Sequence, residues 1–127
     1  MSEGWFKTPR SLTESNIWLA EKFTKGQAFI DLIGLANHKE NMINIRGNEV
    51  FIKRGQVCRS EETLSARWQW SRGKLRRYLK YLETKQQIVQ QKNKIITLIT
   101  IKDYEFYQGN STTDNTSDST TKRQQKD

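Results

Sequence analysis

Apolar residues recur at helical spacing in the segment that follows Thr24. Thr24 and Gln27 fit a capping box, in which side chains satisfy backbone N–H groups left free in the first turn of a helix. The apolar positions after this box are Phe29, Ile30, Leu32, Ile33, Leu35 and Ala36. Their spacing predicts a mostly buried helix over residues 25–38.

Two shorter patterns flank this helix. Large apolar residues precede it, namely Trp5, Phe6, Leu12, Ile17, Trp18, Leu19 and Phe23. They predict an amino-terminal segment with a short helix on the same core, in which Trp5 and Trp18 are packing anchors. After the helix, residues 50–53 and 56–58 are extended runs around the turn signal Arg54-Gly55, and they predict a small strand or a tight hairpin.

Two further helices are predicted with a very short connection between them. Ser60 is an N-cap residue for a helix over residues 61–68, whose inner face carries Leu64 and Trp68. Ser71 is a second N-cap, for a helix over residues 71–85. Because so few residues separate the two helices, they must meet at a sharp turn.

The helix over residues 71–85 has two chemically different sides. With successive residues placed about 100° apart, the apolar side holds Leu75, Tyr78, Leu79 and Leu82. The opposite side holds Gly73, Arg76, Arg77 and Lys80. We expect the first side to pack on the core and the second to face a binding partner.

Two strands, over residues 88–91 and 95–101, complete the pattern. Lys92-Asn93-Lys94 joins them, and Asn93 tolerates a left-handed turn conformation. The predicted order of helix, helix, tight turn, helix and hairpin is the plan of a winged helix-turn-helix. The predicted fold class is therefore mainly α with a small β-hairpin wing, an α+β fold.

Positive charge is concentrated on this last helix and hairpin. The formal net charge of the 127-residue chain is +8. Residues 67–94 hold nine Lys or Arg residues and one carboxylate, Glu83, whereas basic and acidic residues balance over the rest of the chain. A charged run is most often a solvated surface, but an excess confined to one segment favours a polyanionic partner such as DNA.

The charged segment supplies the candidate DNA-binding residues, which are Ser71, Arg72, Gly73, Lys74, Arg76, Arg77, Lys80, Lys92, Asn93 and Lys94. Arg76 and Arg77 are candidates for reading bases, because a guanidinium can donate two hydrogen bonds to guanine. Ser71 and Arg72 are expected to contact a phosphate group of the backbone, because the start of a helix attracts anions. Lys92 and Lys94 are expected to reach the minor groove or the flanking backbone.

The roles of Gly73 and of two tryptophans can each be interpreted in two ways. Gly73 weakens the helix by about 1 kcal/mol relative to Ala, and either allows close approach of the backbone to DNA or is a tolerated imperfection. Trp68 and Trp70 would stack on single-stranded bases in one interpretation. In a helix-turn-helix both tryptophans belong to the core, which is the interpretation we favour.

The sequence offers little for catalysis, metal binding or membrane insertion. Cys58 and His38 are the single cysteine and histidine, too few for the four ligands of a structural zinc, and no phosphate-cradling glycine loop is present. We expect a protein that is not an enzyme and needs no cofactor. With no apolar run long enough for a membrane span and no signal-like amino terminus, we expect a cytoplasmic protein.

The composition divides the chain into two parts. Residues 1–108 are expected to form the folded DNA-binding domain. Residues 109–127 contain eight Ser or Thr, no apolar residue and no net charge. Such a segment cannot offset the entropy lost on ordering, so we expect a disordered polar tail.

A family resemblance is carried by the pieces FTKGQAFIDLIGLANHK, IKRGQ, LSARWQWSRGKLRRYLKYLE and ITIKDYEFYQ. Together they resemble the winged-helix amino-terminal domain of phage and mobile-element replication organisers related to DnaD, over about residues 4–108. The resemblance implies DNA binding through the second helix, in phage or plasmid replication or gene control. Larger members carry a further helical domain that contacts the helicase-loading machinery. Because residues 109–127 are polar here, the resemblance supports DNA binding more directly than replication itself.

The expected partner is double-stranded DNA, with host or phage replication proteins as further candidates and homo-oligomerisation left open. These residues do not separate a replication organiser from a transcription regulator. The alternative of another class is a protein-binding adaptor or inhibitor of host machinery built on a winged-helix scaffold. The concentrated charge argues against the adaptor, because the cores of protein interfaces are depleted of charge.

Overall fold

A computed structural model describes residues 3–92 and 96–109 of the chain. A 3-10 helix at Arg10–Glu14 is followed by helices α1 (Asn16–Leu19), α2 (Lys25–Leu35), α3 (Glu61–Trp68), α4 (Arg72–Thr84) and α5 (Tyr104–Tyr107). The strands are β1 (Asn41–Ile45), β2 (Asn48–Ile52), β3 (Gln56–Cys58), β4 (Ile88–Lys92) and β5 (Thr97–Ile101). Over these residues the chain is an α+β fold with two small antiparallel sheets.

The three long helices begin at the N-cap residues that the sequence predicted. The side chains of Thr24, Ser60 and Ser71 each accept a hydrogen bond from the backbone N–H three positions on, at 3.1, 3.0 and 3.1 Å. The prediction that α2 extends to residue 38 is wrong. The helix ends at Leu35 because Ala36 is extended, and Asn37 then exchanges two backbone hydrogen bonds with the start of β3.

The larger sheet has three strands, in the order β3-β5-β4. The predicted hairpin is confirmed as β4 and β5, which pair antiparallel from Ile88 opposite Ile101 to Lys92 opposite Thr97. β3, which precedes α3 in the chain, pairs with the other edge of β5. The hairpin is thereby tied to the helices that come before it. The predicted turn residues Asn93 and Lys94 lie outside the described residues.

Of the two alternatives predicted around Arg54-Gly55, the small strand is confirmed, since β2 and β3 lie on either side of this turn, and the tight hairpin is wrong. β2 pairs instead with β1, a strand that was not predicted, and β3 joins the other sheet. The turn between β1 and β2 is Arg46-Gly47, and both residues have positive φ, as a two-residue hairpin turn requires. The partner of β3 lies too far along the chain for a local pattern to indicate it.

The core lies between α2, α3, α4 and the three-stranded sheet. The predicted core residues Leu32, Leu64, Trp68, Trp70, Leu75, Leu79 and Leu82 are all buried, and Phe29 is half-buried. The interpretation of Trp68 and Trp70 as core residues is confirmed. Trp5 is not an anchor, since it is 59% exposed, with its ring edge-on to the exposed ring of Phe106, and Ile17 of α1 is also exposed.

The one buried carboxylate among the described residues lies where three segments meet. Asp31 of α2 accepts hydrogen bonds from the indole N–H groups of Trp18 and Trp68, at 2.9 and 2.8 Å. It also forms an ion pair with Arg67 of α3, at 2.7 Å from Nε. Asp31 therefore joins the amino-terminal segment, α2 and α3. None of the helices in residues 3–92 and 96–109 has both the length and the apolar character needed to cross a membrane.

Candidate nucleic-acid interface

The turn between α3 and α4 is rigidly attached to the core. Gln69 takes a left-handed conformation (φ 59°), and the backbone N–H of Trp70 returns to the carbonyl of Ser65 at 3.0 Å. The indole N–H of Trp70 donates to the carbonyl of Phe23 at 2.9 Å, and its ring meets Trp68 edge-on at 5.0 Å. This packing fixes the direction in which α4 leaves the turn.

The two sides of α4 are placed as the sequence predicted. Leu75, Tyr78, Leu79 and Leu82 are buried, whereas Gly73, Arg76, Arg77 and Lys80 are exposed. The Tyr78 hydroxyl donates to the carbonyl of Lys25 at 2.5 Å, which links α4 to the start of α2. Burial raises the pKa of Tyr78 to about 12, so this hydroxyl keeps its proton at neutral pH.

A single carboxylate gathers three of the candidate DNA-binding cations. Glu61, the first residue of α3, accepts from Nε of Arg76 at 3.0 Å and lies 2.9 Å from its Nη2. Arg72 approaches the same oxygen at 3.3 Å, and Lys92 of β4 contacts the other oxygen at 3.0 Å. The start of α4 and the β4–β5 hairpin thus contribute to one surface, and the cluster retains a net positive charge.

The Glu61 cluster is ionised under all ordinary conditions. Its carboxylate is only 10% exposed, although the three cations are about half exposed. The hydrogen bond from Arg76 is the main cause that lowers the pKa of Glu61 to about 2. Partial desolvation opposes this lowering, and Lys92 and Arg72 add to it. The same pairing raises the pKa of Arg76.

The remaining candidate residues differ in how much they are held in place. Lys74 is half-buried, with its ammonium 4.4 Å from the centre of the Trp70 ring, so it lies at the border of the surface. Lys80 and Arg77 are exposed on α4. Ser71 uses its oxygen as the N-cap acceptor, which leaves its O–H free to donate. Asn93 and Lys94 fall outside the described residues.

The charge of this surface differs in two ways from the net charge counted over residues 67–94 of the sequence. Arg67 was counted with the basic segment, but its side chain turns inward to Asp31 and to the carbonyl of Thr13. Glu61 lies outside that segment and joins the surface. Glu61 was not among the predicted site residues, and nothing in the local pattern indicates its contacts with residues 11, 15 and 31 positions further on. The positive excess at the surface is therefore smaller than the segment total.

Comparisons with known proteins do not identify the chain. No family model, curated protein or solved structure matches it. The resemblance to replication organisers related to DnaD therefore stays a prediction from sequence. Within the described ranges, no group of three or more His, Cys, Asp or Glu residues is placed to hold a metal ion.

Replacing Gly73 by Ala is expected to stabilise the free protein by ~0.5 kcal/mol. This is the low end of the range by which Gly destabilises a helix relative to Ala, because residue 73 lies in the first turn of α4. A Cβ there would meet only the flexible guanidinium of Arg77, at 3.3 Å from Nη1. Urea unfolding measures the change, and Gly26→Ala is the matched control, because Gly26 holds the same place in α2 and has open space around it. A loss of stability in Gly73→Ala would contradict this account. If Gly73→Ala alone binds DNA tenfold more weakly, Gly73 allows close approach of the helix backbone to DNA. If its DNA binding is unchanged, Gly73 is only a tolerated imperfection in the helix.

Proposed function

We propose that this chain is a DNA-binding protein with a winged helix-turn-helix fold, in which α4 enters the major groove of double-stranded DNA. The β4–β5 hairpin is the wing and contacts the flanking backbone or the minor groove. The protein acts in the cytoplasm of a bacterium or phage-infected cell, as a replication organiser or a transcription regulator. Sequencing the DNA recovered with the protein would separate these roles, since origin-like repeats favour the first and promoter operators the second.

The observation that carries this proposal is the position of Lys92 beside Arg76. Lys92 lies on β4 and Arg76 on α4, yet both contact the carboxylate of Glu61 within about 3.0 Å. The hairpin therefore extends the charged side of α4 into one continuous surface. Recognition of DNA by a helix in the groove and a wing on the backbone requires such a surface.

Binding is expected to weaken steeply with salt. If about six cations of α4 and the wing each neutralise a phosphate, the logarithm of affinity falls against the logarithm of salt concentration with a slope of roughly −5, from about 0.9 per contact. Between 50 and 200 mM salt this is about a thousandfold loss. A gel shift at these two concentrations, on a mixed-sequence duplex, tests it. A slope near zero would argue against DNA binding.

Replacing Lys92 by Ala is expected to weaken binding to all duplexes alike and to flatten the salt slope by about one unit. Lys102→Ala is the matched control. Lys102 is exposed on the same hairpin, but it follows Ile101, at the opposite end from Lys92. If the two substitutions weaken DNA binding equally, the hairpin contributes only its total charge, and the end that carries Lys92 does not contact DNA as a wing.

A protein-binding adaptor is the second candidate, and an exposed aromatic surface favours it. Trp5 and Phe106 are each more than half exposed, and their rings meet edge-on at 5.0 Å. Phe106 contacts Tyr107, which contacts Phe29 of α2, so the aromatic surface is contiguous. Exposed apolar surface of this kind is typical of protein contacts. If the duplex gel shift shows no binding even at low salt, this candidate becomes the better one.

A further inference from the structure

Glu61 is a carboxylate in the middle of a surface proposed to bind phosphates. A negative charge at that place repels DNA, so the proposed function alone does not account for it. Ion pairs whose cations face solvent contribute little to stability, so a purely structural role is also a weak explanation. The geometry of the contacts suggests a more specific role.

The contact with Arg76 uses one particular edge of the guanidinium. Oε1 of Glu61 binds both Nε and Nη2 of Arg76, at 3.0 and 2.9 Å. This side edge is therefore occupied, while Glu61 leaves the end edge, formed by Nη1 and the second hydrogen of Nη2, free to donate. Two parallel donors on that edge match O6 and N7 of guanine. The carboxylate thus holds an otherwise flexible side chain in an orientation suited to reading a base.

The contact with Lys92 connects this arrangement to the hairpin. Oε2 of Glu61 binds Lys92 at 3.0 Å, while Oε1 binds Arg76 and Arg72 of α4. One carboxylate therefore contacts both the helix and the hairpin. It also offsets part of the charge of three cations, which would otherwise all be available to phosphates of any sequence.

We propose, resting on the DNA-binding function above, that Glu61 is a positioning residue that sets sequence preference. It presents the free edge of Arg76 to the bases, and it reduces the attraction of the surface for phosphates of non-specific DNA. Compared with the same protein without this carboxylate, the wild type binds random DNA less tightly and discriminates its preferred site more strongly.

The test compares Glu61→Gln with the wild type on two probes. One is a mixed-sequence duplex pool, and the other is the duplex that the wild type selects from a randomised library. Glu61→Gln is expected to bind the pool about fivefold more tightly at 150 mM salt, with a salt slope steeper by about one unit, from one additional phosphate neutralised. Its preference for the selected duplex over the pool is expected to fall about tenfold, because a neutral amide oxygen holds Arg76 less tightly than the carboxylate does.

Glu62→Gln is the matched control. It removes the same charge from the next residue of α3, which is exposed and forms no ion pair within residues 3–92 and 96–109. This variant is expected to keep the wild-type preference. A double-mutant cycle adds a second readout, since Glu61→Gln should change the preference little once Arg76 has been replaced by Ala.

The outcomes separate this proposal from the proposed function. If the wild type binds neither duplex, both are overturned. If the wild type binds with a steep salt slope but Glu61→Gln behaves like Glu62→Gln, only the role of Glu61 is overturned. Should Glu61→Gln fail to fold, Glu61→Asp replaces it, with the charge kept and the reach shortened. That variant is expected to bind the pool as the wild type does and to lose preference, and retained preference would overturn the role.

Discussion

Replacing Asp31 by Asn is expected to lower the free energy of unfolding by about 3 kcal/mol, and the melting temperature by roughly 10–20 °C. The carboxylate is fully buried, and its oxygens accept from two indole N–H groups and from the guanidinium of Arg67. An asparagine of the same shape would direct an amide N–H at one of these donors. It would also leave Arg67 without its counter-charge. Since Arg67 is 20% exposed, we expect the lower end of the 3–5 kcal/mol range for a broken buried pair.

Urea unfolding monitored by tryptophan fluorescence measures this loss. Asp103→Asn is the matched control, because Asp103 is exposed and its side chain makes no capping hydrogen bond to α5, so a change within about 0.5 kcal/mol is expected. Asp31→Asn should cost less when Arg67 has already been replaced by Met, because no buried cation then remains unpaired. A loss below about 1 kcal/mol in the single variant would mean that the network contributes little.

The Asp31 network also supports the surface proposed to bind DNA. It connects α2 to α3, and α3 carries both the turn that directs α4 and the carboxylate of Glu61. DNA binding by Asp31→Asn is therefore expected to fall only in proportion to the unfolded fraction. Normal affinity at low temperature, with loss on warming, would separate this structural role from a direct contact with DNA.

The sequence predicted best the parts of the fold that depend on neighbouring residues. The starts of α3 and α4 follow from Ser60 and Ser71, whose side chains need only the next turn to act as caps. The buried and exposed sides of α4 follow from spacing alone. The β4–β5 hairpin was predicted because its two strands are adjacent in the chain.

Contacts between distant residues could not be predicted in the same way. The partners of Asp31 on α3 lie 36 and 37 positions away, and a single Asp in a helix gives no sign of such pairing. Glu61 likewise meets Arg76 and Lys92 only because the turn after α3 and the hairpin fold back on it. β1 did have a local signal, since Ile43 and Ile45 alternate with the polar residues Asn41 and Asn44 nearby, and residues 50–52 are a run of strand-favouring apolar residues. That alternation was missed because Arg46-Gly47 is a weaker turn signal than Asn-Gly.

Replacing both Arg76 and Arg77 by Ala is expected to remove the sequence preference of DNA binding. Each bidentate contact with a base contributes roughly 5- to 150-fold in discrimination, so losing two brings the selected duplex close to the level of the mixed pool. Both side chains are exposed on the side of α4 opposite the buried leucines. Affinity for the pool should fall as well, with the salt slope flatter by about two units, because two cations are lost.

The double substitution to Lys separates reading of bases from neutralisation of phosphates. Lysine keeps the charge of Arg76 and Arg77 but has no planar pair of donors for guanine, and it cannot make the two-point contact with Glu61. The Lys variant should therefore keep the affinity for the mixed pool and the salt slope of the wild type, while its preference for the selected duplex falls. Competition gel shifts at fixed salt measure both quantities. If the Ala variant keeps affinity and preference alike, α4 is not the reading helix, and the adaptor that binds through the Trp5 and Phe106 surface becomes the better account of this protein.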